Sequence, residues 1–345
     1  MSQNLLERYL AGVIVGEMQS HRNMTLFCLI ASTEASLPAS DFVTMDQALK
    51  DQSLEITEVN EGGAVPNLKV VNRSEKRVLI LDGEELVGAK QNRVLNTTVL
   101  LPPNSETIIP VSCVEERRWS YRGKKFTSEE RMMSAQMKRK KSETVHLSLM
   151  SEGSYDSDQY LVWSEIDEKF RRMETPRSPT SAMASIYEAH KAHASEYLRA
   201  YKPVERQVGI GCFIDGRLAG VEFVTAFGAF RELHRKLVHS YVIDALETAR
   251  ASIPDTEVDK RSLEDFLQRA AHSPVEVELR KSVALGRDMR IASRWVKGAG
   301  LEFEGNVLQL TLFPVEDGES PCEGGETMRS ASRRRGNLRT RRFQD

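Results

Sequence analysis

The chain lacks any apolar run long enough to cross a bilayer: a stretch such as 97–101 falls far short of the roughly 20 residues that a spanning helix needs. It also lacks a continuous signal-peptide core, because Glu7 and Arg8 interrupt the amphipathic pattern Leu5, Leu6, Tyr9, Leu10, Val13. Close cysteine pairs are missing. Cys28, Cys113, Cys212 and Cys322 stand far apart, which excludes a zinc knuckle or a CxxC redox motif and leaves reduced thiols as the expected state. HExxH, GxSxG and the Walker A loop are absent, so the commonest routes to metalloprotease, hydrolase or P-loop chemistry are closed. No internal repeat is present. These absences describe a cytoplasmic protein with no membrane association.

What the chain does have is ordinary globular composition: 40% apolar and 28% charged residues over 345 positions, enough to bury a substantial core without disulfides. Its net charge of −2 hides an asymmetry. Residues 327–345 hold seven Arg against one Asp, a local +6, so the remainder carries −8.

Periodicity divides the chain. Residues 5–13 read as an amphipathic helix, 13–15 and 24–30 as strands around a polar stretch at 18–23, and Thr44 with Gln47 as the capping box of a short helix. Branched apolar runs at 54–59, 68–71, 78–81, 94–101 and 107–113, separated by Gly, Pro or Asn, predict an antiparallel sheet or small sandwich. From Thr127 the period lengthens. Thr127 and Glu130 have capping-box spacing before a helix carrying Met133 and Met137, a second helix starts at Asp158, and a third runs from Met183 to Tyr201. A hairpin turning at Asp215-Gly216 follows, then helices at 228–249 and 263–271 and strands at 275–279, 289–292 and 307–313. The expected class is α+β, one domain over 1–316 that is β-rich over 1–126 and mixed over 127–316. Residues 317–345 are expected to be a disordered Arg-rich tail.

Two clusters carry candidate chemistry. In Asp82-Gly83-Glu84-Glu85-Leu86-Val87-Gly88-Ala89-Lys90-Gln91-Asn92-Arg93, charged and amide side chains crowd between two apolar strands. If Asp82-Gly83 is a two-residue turn, Glu84 and Glu85 point to opposite faces and cannot act as one carboxylate pair. One of them would then serve as a general base or metal ligand, with Lys90, Gln91, Asn92 and Arg93 holding an anion or carbonyl; the alternative is a solvated hairpin. In the second cluster, Cys113, Glu115 and Trp119 lie beside Arg117, Arg118, Arg122, Lys124 and Lys125, a combination suited to base stacking and phosphate pairing or else a plain basic loop. Lys138 to Lys141 are assigned to a helix C-terminus, where the dipole favours cations.

At other positions the structural reading is the commoner one. Cys113 has no base nearby in sequence and is expected to be a small buried residue rather than a nucleophile. His190 and His193 lack further ligands, so His190 is read as a satisfied core histidine and no metal is expected. Asp244 falls on the apolar stripe of its helix and needs a partner, such as a neighbouring helix end. Gly209, Gly211 and Gly220 are expected to share one bare hairpin face, open to a ligand or to a helix. Gly209-x-Gly211 does not complete a dinucleotide fingerprint.

The run from Gly83 to Arg93, with Ile109-Pro110-Val111-Ser112-Cys113-Val114-Glu115 and Trp119, resembles the ADP-ribosylglycohydrolase- and rhodanese-phosphatase-associated protein domain family. Val208-Gly209-Ile210-Gly211, Gly216-Arg217, Ala219-Gly220, Lys236-Leu237, Ser240-Tyr241 and Asp244-Ala245-Leu246 resemble its second block, and the likeness extends to about Phe313. It implies an ADP-ribose- or NAD-related nucleotide ligand and names no catalytic residue or cofactor. Arg and Lys would hold pyrophosphate, Trp119 an adenine, and Glu, Gln and Asn the ribose hydroxyls. The competing expectation is a non-catalytic protein whose basic loop and tail bind nucleic acid or an acidic partner.

Overall fold

The computed structural model describes residues 2–32, 41–60, 66–118, 120, 123–249, 258–272 and 274–315. The tail and Trp119 lie outside these residues. Among them, eight helices and seventeen strands build three sheets, an α+β fold as the sequence predicts.

The largest sheet joins the two ends of the described chain. Its eight strands run in the order β1 (Val13–His21), β2 (Met24–Ala31), β12 (Gln207–Ile214), β13 (Arg217–Val224), β17 (Asn306–Pro314), β16 (Val296–Phe303), β15 (Arg287–Ala292) and β14 (Glu276–Lys281). Every pairing is antiparallel, so alternate residues serve opposite faces. Val221, Phe223, Leu310 and Leu312 pack against helices α1 (Ser2–Ala11) and α8 (Lys260–His272). Ile210, Cys212, Val224 and Phe313 pack against α7 (Phe227–Thr248) through Phe230, Leu233, Leu237 and Tyr241.

A second sheet of six strands runs β11 (Phe126–Met132), β7 (Glu84–Gly88), β8 (Arg93–Leu95), β10 (Ser105–Cys113), β5 (Asn67–Asn72) and β4 (Leu54–Glu58). Its two edges meet through an antiparallel bridge between Thr57 and Lys125, so it curls into a barrel. A small third sheet, β3 (Phe42–Thr44), β6 (Arg77–Ile80) and β9 (Val99–Leu101), packs Val78, Ile80, Val99 and Leu101 into the same core as Leu68, Leu86, Leu95 and Ile109. The remaining helices are α2 (Met45–Lys50), which packs on β3, β4, β6 and β11, and α3 (Ala135–Ser151), α4 (Gln159–Arg172), α5 (Met183–Ala189) and α6 (Lys191–Ala200), which follow β11 in the chain.

Several local expectations hold. The Gln47 N–H donates to the Thr44 hydroxyl at the start of α2, and Asp158 caps α4 by accepting from two backbone amides. The β12–β13 turn has positive φ at Asp215 and Gly216, the geometry that matches strand twist.

Others fail for identifiable reasons. Phe126–Met132 is a strand, not the first turns of a helix: it pairs with β7, the Thr127 hydroxyl donates to the Val87 carbonyl, and α3 begins only at Ala135. Pairing to a waiting sheet edge outweighs a local capping signal. The polar stretch after Met18 continues β1 to His21, since an edge strand tolerates polar residues. The helix expected from Met183 to Tyr201 is broken at His190. Strand β16 was hidden by its glycines, where a Cβ on Gly298 or Gly300 would strike the neighbouring Thr311 or Gln309 carbonyl. Asp82-Gly83 does not turn a hairpin either: β6 pairs within the three-stranded sheet and β7 within the barrel, so these residues carry the chain from one sheet to the other.

Candidate functional site

Antiparallel order places the ends of six barrel strands at one mouth. The end of β4 brings Glu58, the β7–β8 connection brings Lys90, Gln91 and Asn92, the start of β8 brings Arg93, and the end of β10 brings Cys113 and then Glu115. All are buried. At the end of β7, Gly88 adopts a φ of 142°, and a Cβ there would lie 2.5 Å from the Lys125 carbonyl, so glycine alone fits the crossing with β11.

The side chains at this mouth interlock. Arg93 Nη1 and the Cys113 thiol both donate to Gln91 Oε1, at 3.0 and 3.2 Å, and Gln91 Nε2 donates to the Glu115 carbonyl at 2.8 Å. The Asn92 amide N–H donates to Glu115 Oε2 at 3.2 Å, and Asn92 Nδ2 donates to Glu85 Oε1 at 3.3 Å. Glu58 Oε1 accepts from the Lys90 backbone N–H at 3.4 Å and lies 4.0 Å from Arg93 Nη2. Its other oxygen, Oε2, is buried and accepts no hydrogen bond.

Arg118 fastens the assembly. It donates to Glu115 Oε2, the Ala89, Gly88 and Ser120 carbonyls, and Asn92 Oδ1, all between 2.7 and 3.2 Å. That saturation takes it out of the exposed basic loop in which the sequence placed it; Arg117, Lys124 and Lys125 remain at the surface. A buried guanidinium with this many carbonyl partners is a structural clamp.

Burial sets the electrostatics. It raises the Glu85 carboxyl above the usual range, an effect that Arg131 Nε at 2.8 Å and the Asn92 hydrogen bond only partly offset. Glu115 behaves oppositely. Burial would raise it, but hydrogen bonds from Arg118, Thr180 and the Asn92 amide outweigh that and hold it below the ordinary range. Burial pushes the Cys113 thiol up to about 11 despite the nearby Arg93 cation, so it is a protonated donor rather than a poised nucleophile.

Glu84 and Glu85 do face opposite ways, by the alternation of a strand rather than by a turn. Glu84 is turned away from the mouth: its Oε2 accepts from the Leu81 N–H at 2.7 Å, and its Oε1 meets Lys236 Nζ at 2.6 Å. Lys236 also reaches Asp46 at 2.5 Å and the Ser128 hydroxyl at 3.2 Å. Burial opposes the Lys236 charge, but Glu84 and Asp46 outweigh it and keep the group cationic.

Glu84 borders a second polar network, between the barrel and the large sheet, that the sequence reading missed. Lys138 pairs with Glu222, which also accepts from Thr311 at 2.7 Å; Lys141 pairs with Asp82; and Asp288 joins Arg290 and Thr97. The two lysines lie in the first half of α3 and are 2% and 1% exposed, so they are core residues rather than helix-terminal cations. The available signal was their spacing: Lys138, Lys141, Val145 and Leu149 form one buried stripe.

Asp244 does find a helix end. Its Oδ2 accepts from the Gln136 N–H in the first turn of α3, and its Oδ1 meets Lys169 Nζ at 2.7 Å. His190 is half-buried at the α5–α6 junction, with its Nε2 2.8 Å from the Thr175 hydroxyl, and is not a core residue. The three hairpin glycines do not share a face, because a bulge between Cys212 and Phe213 shifts the register. A Cβ at Gly211 would strike Leu263 of α8, whereas one at Gly220 would strike the Tyr241 hydroxyl of α7; both sides are filled. Among the described residues no group of three or more His, Cys, Asp or Glu side chains could hold a metal ion. Among the same residues, no helix is long and apolar enough to cross a membrane.

A family model described as the ARG and Rhodanese-Phosphatase-superfamily-associated Protein domain matches residues 12–313, a span that includes the whole barrel mouth. No curated protein and no solved structure matches the chain.

Proposed function

The chain belongs to the ARG and Rhodanese-Phosphatase-superfamily-associated Protein domain family, and on that premise we propose that it binds a nucleotide of the ADP-ribose or NAD type at the barrel mouth. The observation that carries this reading is convergence. Glu58, Lys90, Gln91, Asn92, Arg93, Cys113 and Glu115 come from three separate chain segments and meet at one strand-end mouth, a common location for small-molecule sites. The family name supplies the link to ADP-ribosylglycohydrolase and rhodanese-phosphatase proteins.

In this proposal Lys90 and Arg93 take the pyrophosphate, Trp119 stacks the adenine, and Gln91, Asn92 and Glu115 orient ribose hydroxyls. Glu58 joins them, because the oxygen that accepts nothing within the protein is suited to a hydroxyl donor. If the protein turns its ligand over, Glu85 is the proton-transfer group, since burial raises its carboxyl above the ordinary range and Asn92 connects it to the mouth. Glu84 is then a positioning residue for Lys236.

The test is a thermal-shift and calorimetric titration with ADP-ribose, NAD and ADP. A ligand at a hundred times its Kd should stabilise the fold by about 2.7 kcal/mol. Glu58→Gln and Trp119→Ala should weaken binding while the ligand-free melting temperature stays put. Absence of any shift with all three nucleotides at millimolar concentration overturns the proposal.

A further inference from the structure

A separate groove of about 220 Å³ lies where β11, α5, α6 and α7 meet, lined among others by Glu129, Arg131, Glu188, Lys191, Arg235 and His239. Its floor is Arg131, fixed from below by the fully buried Glu85 through Nε at 2.8 Å. From above, Glu188 touches the same guanidinium through Nη1 at 2.7 Å and approaches Lys191 Nζ at 3.7 Å. Glu188 is 55% exposed, so an accessible side-chain carboxylate lies across two cations.

We infer that this groove is a binding site for a tetrahedral oxyanion, a single phosphate group either free or on a small sugar, and that Glu188 occupies the anion's place when the site is empty. A carboxylate offers two oxygens in one plane, whereas a phosphate offers oxygens in three directions, which suits a groove lined by Arg131, Lys191 and Arg235. The buried carboxylate behind Arg131 keeps its guanidinium plane aimed at the groove when Glu188 is displaced, so the cation is positioned before the ligand arrives. Glu129 is the other acid of the lining, and its repulsion limits the affinity. The inference does not rest on nucleotide binding at the barrel mouth, although Glu85 touches both places.

The experiment is an isothermal titration of the full chain with inorganic phosphate and, separately, ribose 5-phosphate, at constant ionic strength. Saturable binding is expected at millimolar phosphate. Glu188→Gln removes the competing carboxylate and should bind phosphate about threefold more tightly, the scale of one exposed ion pair. Arg235→Ala removes a charge-assisted hydrogen bond and should weaken binding about tenfold, with ADP-ribose binding unchanged. Tighter binding of ribose 5-phosphate than of phosphate assigns the anion to a sugar phosphate; equal or weaker binding assigns it to the free ion. No saturable binding by the parent chain and Glu188→Gln, or weaker binding in Glu188→Gln, overturns the inference.

Discussion

The barrel mouth and the network between the sheets are both buried and both polar, yet they are built differently. Between the sheets each lysine is matched to a carboxylate far away in sequence: Lys138 to Glu222, Lys141 to Asp82, Lys236 to Glu84. At the mouth Arg118 spends most of its donors on amides and carbonyls from nearby loops, Arg93 donates to the Gln91 amide oxygen, and Glu58 keeps an oxygen with no partner. Closed charge pairs between distant segments fasten one layer to another. Neutral partners can be exchanged for a ligand's oxygens at smaller electrostatic cost, which is why the mouth and not the network is the better candidate for binding.

The largest expected effect tests the fastening side of that comparison. Lys138→Met leaves Glu222 buried without its cation and should lower the unfolding free energy by about 3–5 kcal/mol, measured by urea denaturation. The double change Lys138→Met with Glu222→Leu should recover much of the loss, because a matched apolar pair avoids the stranded charge. A single-variant loss below about 1 kcal/mol, the scale of an exposed pair, would show that the network does not hold the layers together. A smaller effect is expected at the mouth. Arg118→Lys keeps the charge but cannot reproduce the guanidinium fork, so it should cost about 1–2 kcal/mol and weaken nucleotide binding as the 114–118 loop loosens. Loss of stability without loss of binding would separate the clamp from the site.

The contrast also explains what the sequence disclosed. The helices α1, α2, α4, α7 and α8 and the Asp215-Gly216 hairpin were legible because local periodicity, caps and turn residues agreed with their tertiary surroundings. Strand β11 was not, because a distant partner, β7, decides it, and neither was the break at His190. Both strand-end clusters stood out through dense polar residues beside apolar strands. They meet because β8 and β10 pair directly, with Arg93 opposite Cys113, whereas bringing Glu58 round to them depends on closure of the barrel through Thr57 and Lys125, residues 68 positions apart that carry no local mark of pairing. Glu58 was overlooked for a related reason: in sequence it is one more polar residue at a strand end, and only burial beside Arg93 distinguishes it. Lys138 and Lys141 were misplaced because a run of lysines reads as the cationic end of a helix, although their spacing with Val145 and Leu149 marks a buried stripe.

The smallest expected effect divides the mouth itself, between a floor that favours a proton and a wall that favours a charge. Glu85 has its carboxyl raised by burial, with Arg131 and Asn92 offsetting part of the shift. Such a group contributes its full stability in acid, below the ordinary glutamate range, and loses it as pH rises through the raised value. Glu115 is held low because Arg118, Thr180 and the Asn92 amide outweigh its burial, so its contribution is present above the ordinary range and is lost as pH falls through the depressed value. Measured by urea unfolding across acid to neutral pH at constant ionic strength, Glu85→Gln should gain on the parent as pH rises, whereas Glu115→Gln should fall behind it. The two difference curves must therefore slope in opposite directions. Parallel curves would mean that the two carboxylates share one environment, and Glu85 would then lose the property that suits it, rather than Glu115, to handling a proton at the mouth.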